Sequence, residues 1–357
     1  MTTTIKDVAR LAGVSAGTVS SVLNDKPGVS EKSMNAVRRA IVALNYHPNH
    51  IARSLRVRKT NTLGMILPQI NTMFFGQVVR GAVDEAGREG YSILICDTNY
   101  EPAQEQRHLS ALYSRRVDGI LLASAQSYFH RFESPERDVP IVFFDDIPDG
   151  HCGPAVTTAN AEAAQEATEH LISLGHFRIA MISGPTSLST GLERAEGFRR
   201  AMGAAGLPVK EEFFVCGNFR LEEAHICAMN LLSLPVPPTA IIAASEEMTI
   251  GLLQAVAEMG IRCPEQVSIV GFDDFVAGPT GFSLAMMFEP KLTAVAQSSY
   301  EMGKVAVRTL LQIIRNVEGE PKQDEKVIRL PARLEVRGST ASPCEKTLPA
   351  INRLSPG

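Results

Sequence analysis

The side chains able to do chemistry fall just after apolar runs. Asp273-Asp274 follows Val267–Gly271, Phe74 and Phe75 follow the run at Thr62–Leu67, Thr190 and Phe219 come after others, and Arg194 opens a helix-like stretch. A carboxylate so placed accepts bonds from ligand hydroxyl or amine groups. A guanidinium offers several donors to an oxygen-rich ligand, and phenyl rings stack on a flat face. Plainer readings stand beside these: a loop cap for Asp273, a structural ion pair for Arg194, lobe packing for the phenylalanines. Asp273-Asp274 could pass for a catalytic pair, but neighbours on a turn point apart. With no Walker loop, no G-x-S-x-G and no metal-ligand spacing, no catalytic residue, metal or cofactor is expected, and the chain does not read as an enzyme.

A second set lies near the N-terminus: Ala16, Gly17, Thr18, Ser20 and Ser21. Small residues permit close approach, hydroxyls bond phosphates or bases, and methyl groups touch thymine methyls. Each hydroxyl taken alone is equally an ordinary solvated one. Gly17 costs a helix about 1 kcal/mol against Ala, so a local reason for it is expected.

The elements that would position these residues follow from spacing. Thr4 caps a helix whose Asp7 returns the bond, and Ile5, Val8, Ala9 and Ala12 fall on one face. Gly13 stops it. Ser15 caps a second helix, Ala16 to about Leu23. A loop at 24–28 leads to Ser30, which caps a third helix with Val37, Ile41 and Leu44 inward. Two short helices about a Gly turn, buttressed by a third, make a helix-turn-helix whose second helix enters the major groove. After Pro48, Asn49 caps a helix of one or two turns, too short to stand alone. Leu55 there, among Arg53, Arg56 and Arg58, suits a minor-groove wedge, or packs on the rest of the chain. From Thr62 apolar strands alternate with helical stretches, which implies doubly wound parallel sheets. Over that length, two lobes are expected rather than one, with ligands beyond the carboxyl ends of the strands.

Charge divides the chain the same way. Residues 1–60 carry ten Lys/Arg against three acids, a net of +7, and the remainder carries 25 against 36, a net of −11. A basic head on an acidic body fits a head that meets a polyanion, or simply a solvated basic face. No run is long and apolar enough to cross a bilayer, and no secretion signal opens the chain, so a cytoplasmic protein without membrane contact is expected. The six scattered cysteines read as reduced, small apolar residues.

Thr4-Ile5-Lys6-Asp7-Val8-Ala9-Arg10-Leu11-Ala12-Gly13-Val14-Ser15, then Thr18-Val19-Ser20 and Val22-Leu23-Asn24, resemble the head of the LacI/GalR repressors. Tyr46-x-Pro48-Asn49 with Ala52-Arg53-Ser54-Leu55 is similar to their hinge. The resemblance runs on through Val117-Asp118-Gly119-Ile120, His170–His176, Arg194-x-x-Gly197-Phe198, Pro238-Thr239-Ala240 and Val267–Asp274, to about residue 338.

It implies a small all-α helix-turn-helix domain (1–46), a hinge helix and linker (47–60), and an α/β effector-binding and dimerisation domain (61–339). That domain would hold two doubly wound parallel-sheet lobes of periplasmic-binding-protein type, followed by a flexible tail (340–357). It further implies a repressor that acts as a homodimer on double-stranded DNA at a palindromic operator, controlled by a small-molecule effector such as a sugar or related polar metabolite. Control by a partner-protein co-effector is a second possibility, and a solute-binding protein a third that the basic head disfavours. The DNA-contacting set becomes Thr4, Ser15, Ala16, Gly17, Thr18, Ser20, Ser21, Asn24, Asn49, His50, Ala52, Arg53 and Leu55. The effector-contacting set is Phe74, Phe75, Thr190, Arg194, Phe219, Ser245 and Asp273.

Departures from the family pattern point to an unusual ligand or operator. Ser21 stands where an Arg is common, Asp146 likewise, Ala159 replaces an Asp before Asn160, and Ala244-Ser245-Glu246 replaces Ala-Asn-Asp. Leucine heptads are absent near the C-terminus, which favours a dimer over a tetramer.

Overall fold

A computed structural model describes residues 3–23, 27–46, 59–126, 128, 139–151, 153–277, 281–316 and 326–343. These fall into two compact units, Met1–Thr60 and Asn61–Gly357. Asn24, Asn49, His50, Ala52, Arg53 and Leu55 lie outside the described residues.

In the first unit α1 (Ile5–Ala12), α2 (Ala16–Leu23) and α3 (Glu31–Ala43) close around Val8, Ala9, Val19, Val37, Ala40 and Tyr46. Local bonds set each boundary. Asp7 Oδ2 accepts from Thr4 N (3.0 Å) and from Thr4 Oγ1 (2.7 Å). These bonds hold the Asp7 carboxyl below its ordinary pKa, with Arg10 assisting. Gly13 takes φ +66°, the left-handed corner, and Val14 N reaches back to Ala9 O at 3.1 Å. Ser15 Oγ accepts from Thr18 N (3.0 Å) and Ser30 Oγ from Ser33 N (3.3 Å), satisfying N–H groups that the helices leave open.

The second unit holds two six-stranded sheets. In the first lobe β1 (Thr62–Leu67), β2 (Ser92–Asp97), β3 (Gly119–Leu122), β4 (Ile141–Phe144), β5 (Ala155–Thr158) and β13 (Val327–Leu330) lie in the order β13-β5-β4-β3-β1-β2, all parallel. In the second, β6 (Ile179–Ser183), β7 (Phe214–Cys216), β8 (Ala240–Ala243), β9 (Ser268–Phe272), β12 (Thr293–Gln297) and β14 (Ala332–Glu335) lie in the order β14-β12-β9-β8-β6-β7. Only β14 runs antiparallel there. A hairpin of β10 (Val276–Ala277) and β11 (Phe282–Ser283) follows β9. The chain crosses between lobes after β5, after β12 and between β13 and β14.

Buried strands read as continuous apolar runs (Gly119-Ile-Leu-Leu and Ile141-Val-Phe-Phe are wholly buried), as parallel sheets covered on both faces require. The covering helices are α4 (Met73–Arg88), α5 (Pro102–Ser114) and α10 (Ser299–Asn316) on the first lobe. Those on the second are α6 (Asn160–Ser173), α7 (Ser189–Ala204), α8 (Leu221–Leu232) and α9 (Glu246–Glu258). Adjacent helices approach through glycine. A Cβ on Gly303 would sit 1.9 Å from Val78 O, one on Gly81 2.0 Å from Tyr300 O, and one on Gly197 2.0 Å from Ala161 O.

The three helices expected before residue 46 and the alternating strands and helices expected from Thr62 are present, the helix expected after Asn49 lies outside the described residues, and spacing missed β5, β7, β10, β11, β12, β13, β14 and α10. The described start of the expected tail is held in place. Ala341 N donates to Ser268 Oγ at 3.1 Å, and Ala341 O lies 2.8 Å from His176 Nε2. Residues 340–341 thus satisfy polar groups of the second lobe.

Candidate functional site

A cleft between the lobes gathers residues from the carboxyl ends of both sheets. Its lining includes Phe74, Phe75, Tyr100, Asp145 and Asp146 from the first lobe, and Thr190, Arg194, Phe219, Ser245, Glu246, Glu247, Asp273 and Gln297 from the second. The cleft encloses a cavity of about 40 Å³. Tyr100 also borders a wider recess of about 540 Å³, with Tyr128, Leu188 and Arg220.

All seven residues expected to contact an effector meet here. Arg194 is 4% exposed; its Nε donates to Asn160 Oδ1 (2.8 Å), its Nη1 to Ala244 O (2.7 Å), and its guanidinium lies 3.9 Å over the Phe272 ring. It is thus held by neutral acceptors rather than by an ion pair. Phe74 and Phe75 pack edge to face with centroids 5.0 Å apart. Phe219 stacks on Tyr100 across the cleft, at 6.0 Å and 24°. Gly184 makes room for that ring, since a Cβ there would lie 2.1 Å from Phe219 Cζ. Ser245 spends its hydroxyl capping α9, accepting from Met248 N at 3.3 Å. Asp273 turns inward while Asp274 turns away to Arg337 Nη1 at 2.6 Å, so the two do not act as a pair.

Sequence reading missed the two residues that clasp the lobes. Asp146 Oδ1, on the first lobe, accepts from Thr190 N (3.0 Å), Thr190 Oγ1 (2.8 Å) and Ser189 Oγ (3.3 Å) at the start of α7 on the second. Glu246, on the second lobe, accepts from Met73 N (2.9 Å, Oε1) and Phe74 N (3.1 Å, Oε2) at the start of α4 on the first. Each carboxylate meets unpaired N–H groups at the positive end of a helix of the opposite lobe. The signal was present in the departures Asp146 and Glu246, but topology was needed to set them opposite those helix starts. A third link runs Thr158 Oγ1 to Gln297 Oε1 (2.5 Å), then Gln297 Nε2 to Asp273 Oδ1 (2.5 Å), while Asp273 Oδ2 accepts from Glu246 N (3.1 Å). Asp273 thus helps cap α9 and lines the cleft at once.

Backbone strain gathers at the same rim. Tyr100, Asp145, Phe219 and Asp273 have φ of 59°, 60°, 54° and 74°, a left-handed conformation that costs about 1 kcal/mol or more per residue and marks sites under functional constraint. Burial raises the carboxyl pKa values throughout. Asp145 is pushed well up by burial and by Asp146, against the pull of Arg194. Asp146 and Asp273 also rise through burial, opposed by Thr190 and by Arg194 respectively. Glu246 reaches about 7 through burial and Asp273, opposed by the N–H groups of Met73 and Phe74.

In the first unit Ser15 and Gly17 are exposed at the start of α2, with Ala16, Thr18, Ser20 and Ser21 partly exposed; Thr4 is exposed at the start of α1. A Cβ on Gly17 would meet only Ser15 Oγ at 3.5 Å, an ordinary contact. Nothing within this unit therefore demands glycine at 17.

Two family models match. Residues 4–49 match that of the bacterial regulatory proteins of the lacI family, and residues 60–335 that of the periplasmic binding proteins and sugar binding domain of the LacI family. The chain is 36% identical to the HTH-type transcriptional repressor PurR of Vibrio parahaemolyticus serotype O3:K6, over 91% of this chain and 97% of that one. Among solved structures, a complex of the transcriptional regulator CelR with cellobiose is similar at 32% identity and TM-score 0.67, covering 94% of this chain and 99% of that one. The lac repressor dimer bound to operator and an anti-inducer shares the fold at TM-score 0.80 and 24% identity, covering 96% of this chain and all of that one.

Proposed function

The chain belongs to the LacI family of bacterial regulatory proteins, as a DNA-binding transcriptional repressor controlled by a small-molecule effector, and from that premise we propose how its own residues divide the work. The first unit reads DNA with the N-terminal half of α2. Ser15, Thr18, Ser20 and Ser21 offer hydroxyls, and Gly17 leaves room for a backbone or base edge to come close. Thr4, Ala16, Asn24, Asn49, His50, Ala52 and Arg53 complete the contact set, and Leu55 wedges into the minor groove. The protein acts in the cytoplasm as a homodimer, so its operator is a palindrome.

The effector is a small polar molecule held in the cleft. One observation carries this reading: side chains from both lobes converge at the carboxyl ends of the two sheets, where Asp146 and Glu246 bond across the gap. A ligand there touches both lobes at once, so its affinity depends on their relative orientation. By linkage it then shifts that orientation. Aromatic walls from Phe74, Phe75 and Phe219 supply area, while Arg194, Thr190, Ser245 and Asp273 supply direction.

Selection of duplexes from random DNA by the full-length protein tests this. A single palindrome should emerge, bound with an affinity that falls steeply with salt as Lys/Arg release phosphate counterions. Recovery of no preferred sequence sinks the reading.

A further inference from the structure

We infer that the cleft takes an organic cation, a molecule bearing an ammonium or guanidinium group, with Asp145 as its counter-ion. This rests on the reading of the cleft as the effector site. Among the described residues five carboxyl groups line it (Asp145, Asp146, Glu246, Glu247, Asp273) against the single cation Arg194. Three of the others have partners: Asp146 holds Thr190, Glu246 holds Met73 and Phe74, and Asp273 holds Gln297 and Glu246 N, while Glu247 is half-buried rather than enclosed. Asp145 differs, being 7% exposed with a buried Oδ1 that has no hydrogen-bond partner. A buried acceptor left unmet is costly, and its backbone is strained besides, with φ +60°. A ligand donor supplies what is missing.

The donor's charge follows from the surroundings. Arg194 already spends Nε and Nη1 on neutral oxygens, so one guanidinium faces a surplus of acid. An entering cation restores the balance and favours the ionised form of carboxyls that burial pushes toward the protonated one. Among the described residues no three of these groups are placed to hold a metal ion, so a spread-out organic cation fits better than an inorganic one. The rings of Phe74, Phe75, Tyr100 and Phe219 line the cleft, and aromatic walls suit such a head group. The groups facing a bound cation are the five carboxyls, Tyr100 and Arg194, and at neutral pH the acids dominate their response. Binding should therefore release protons and tighten as pH rises.

Calorimetry on the full-length protein tests this with putrescine, agmatine and glucosamine, each beside a neutral counterpart (butanediol for the amines, glucose for glucosamine). Two neutral buffers of different ionisation enthalpy report proton release. At least one amine should bind about tenfold or more tighter than its neutral counterpart, with net protons released. Asp145→Asn, its fold checked by unfolding temperature, should lose about tenfold in that affinity and release fewer protons. Amines that fail to bind at millimolar concentration, or neutral counterparts that bind as well, overturn the inference whatever the variant does. The two readings separate cleanly. A neutral ligand that alters operator affinity leaves effector control standing and removes the cation. An amine that binds with proton release but leaves operator affinity unchanged keeps the cation and removes effector control.

Discussion

Replacing Glu246 with Gln should change how the protein's stability depends on pH, in a direction the structure dictates. Glu246 is 6% exposed, and burial together with Asp273 raises its pKa from 4.5 to about 7. The folded state thus keeps a proton that the unfolded chain gives up. Its contribution is fully present below pH 4.5 and is lost as pH rises through about 7. At about 1.4 kcal/mol per pKa unit the full loss is about 3–4 kcal/mol, lessened because Asp273 is electrostatically coupled to it. Gln removes this titration. It also has one carbonyl oxygen where Glu246 presents two, to Met73 N and Phe74 N, so one N–H loses its acceptor at a cost of about 1–3 kcal/mol that does not vary with pH. Glu246→Gln should therefore be less stable than the parent near pH 5 and match or exceed it near pH 8. Urea unfolding followed by circular dichroism gives both curves. Subtracting them cancels Asp145, Asp146 and the first unit, which are common to both. Curves that stay parallel across the range would refute the assignment of a buried, protonated Glu246 to the lobe clasp.

Three other outcomes follow from the same geometry. Gly303→Ala, whose Cβ would sit 1.9 Å from Val78 O, should destabilise the larger unit by about 1–3 kcal/mol; an unchanged melting temperature would show that the α4–α10 contact is looser than described. Gly17→Ala should stabilise the first unit by about 0.5–1 kcal/mol yet weaken operator binding; a variant that gains stability and keeps its affinity would remove the argument that the glycine serves DNA approach. Leu55→Ala should weaken operator binding more than binding to random duplex, and equal losses on both would count against the wedge.

Much of this was legible from residue order alone, for reasons of short range. Thr4, Asp7, Gly13, Ser15 and Ser30 announce helix ends through bonds spanning three to five residues, and those bonds are present. Buried strands such as Ile141–Phe144 announce themselves by unbroken apolarity. The missed β7, Phe214–Cys216, has three residues and no fully buried position, so it carried no pattern to read. In β14, Ala332–Glu335, half-buried and exposed positions alternate on an edge strand, a weak signal over four residues. The site divided likewise. Asp273 stands at the end of a strand legible in the sequence, so the rule of carboxyl ends found it, whereas Phe219 follows the missed β7 and came from the family resemblance. Asp146 was noticed as a departure and Glu246 as part of one, but their roles depend on helix starts 44 and about 170 residues away, a pairing that only the folded chain supplies. Asp145 stood unremarked for the same reason: its unmet oxygen is a property of surroundings, not of local sequence.

Reciprocity offers the sharpest test of the central claim that the cleft governs the grip on DNA. With a cleft ligand in hand, its affinity for the full-length protein should be measured free and again saturated with the selected operator duplex, at one salt concentration. The account predicts a shift of about fivefold or more, matched by an equal shift in operator affinity when the ligand is present. Identical ligand affinities with and without operator would contradict it.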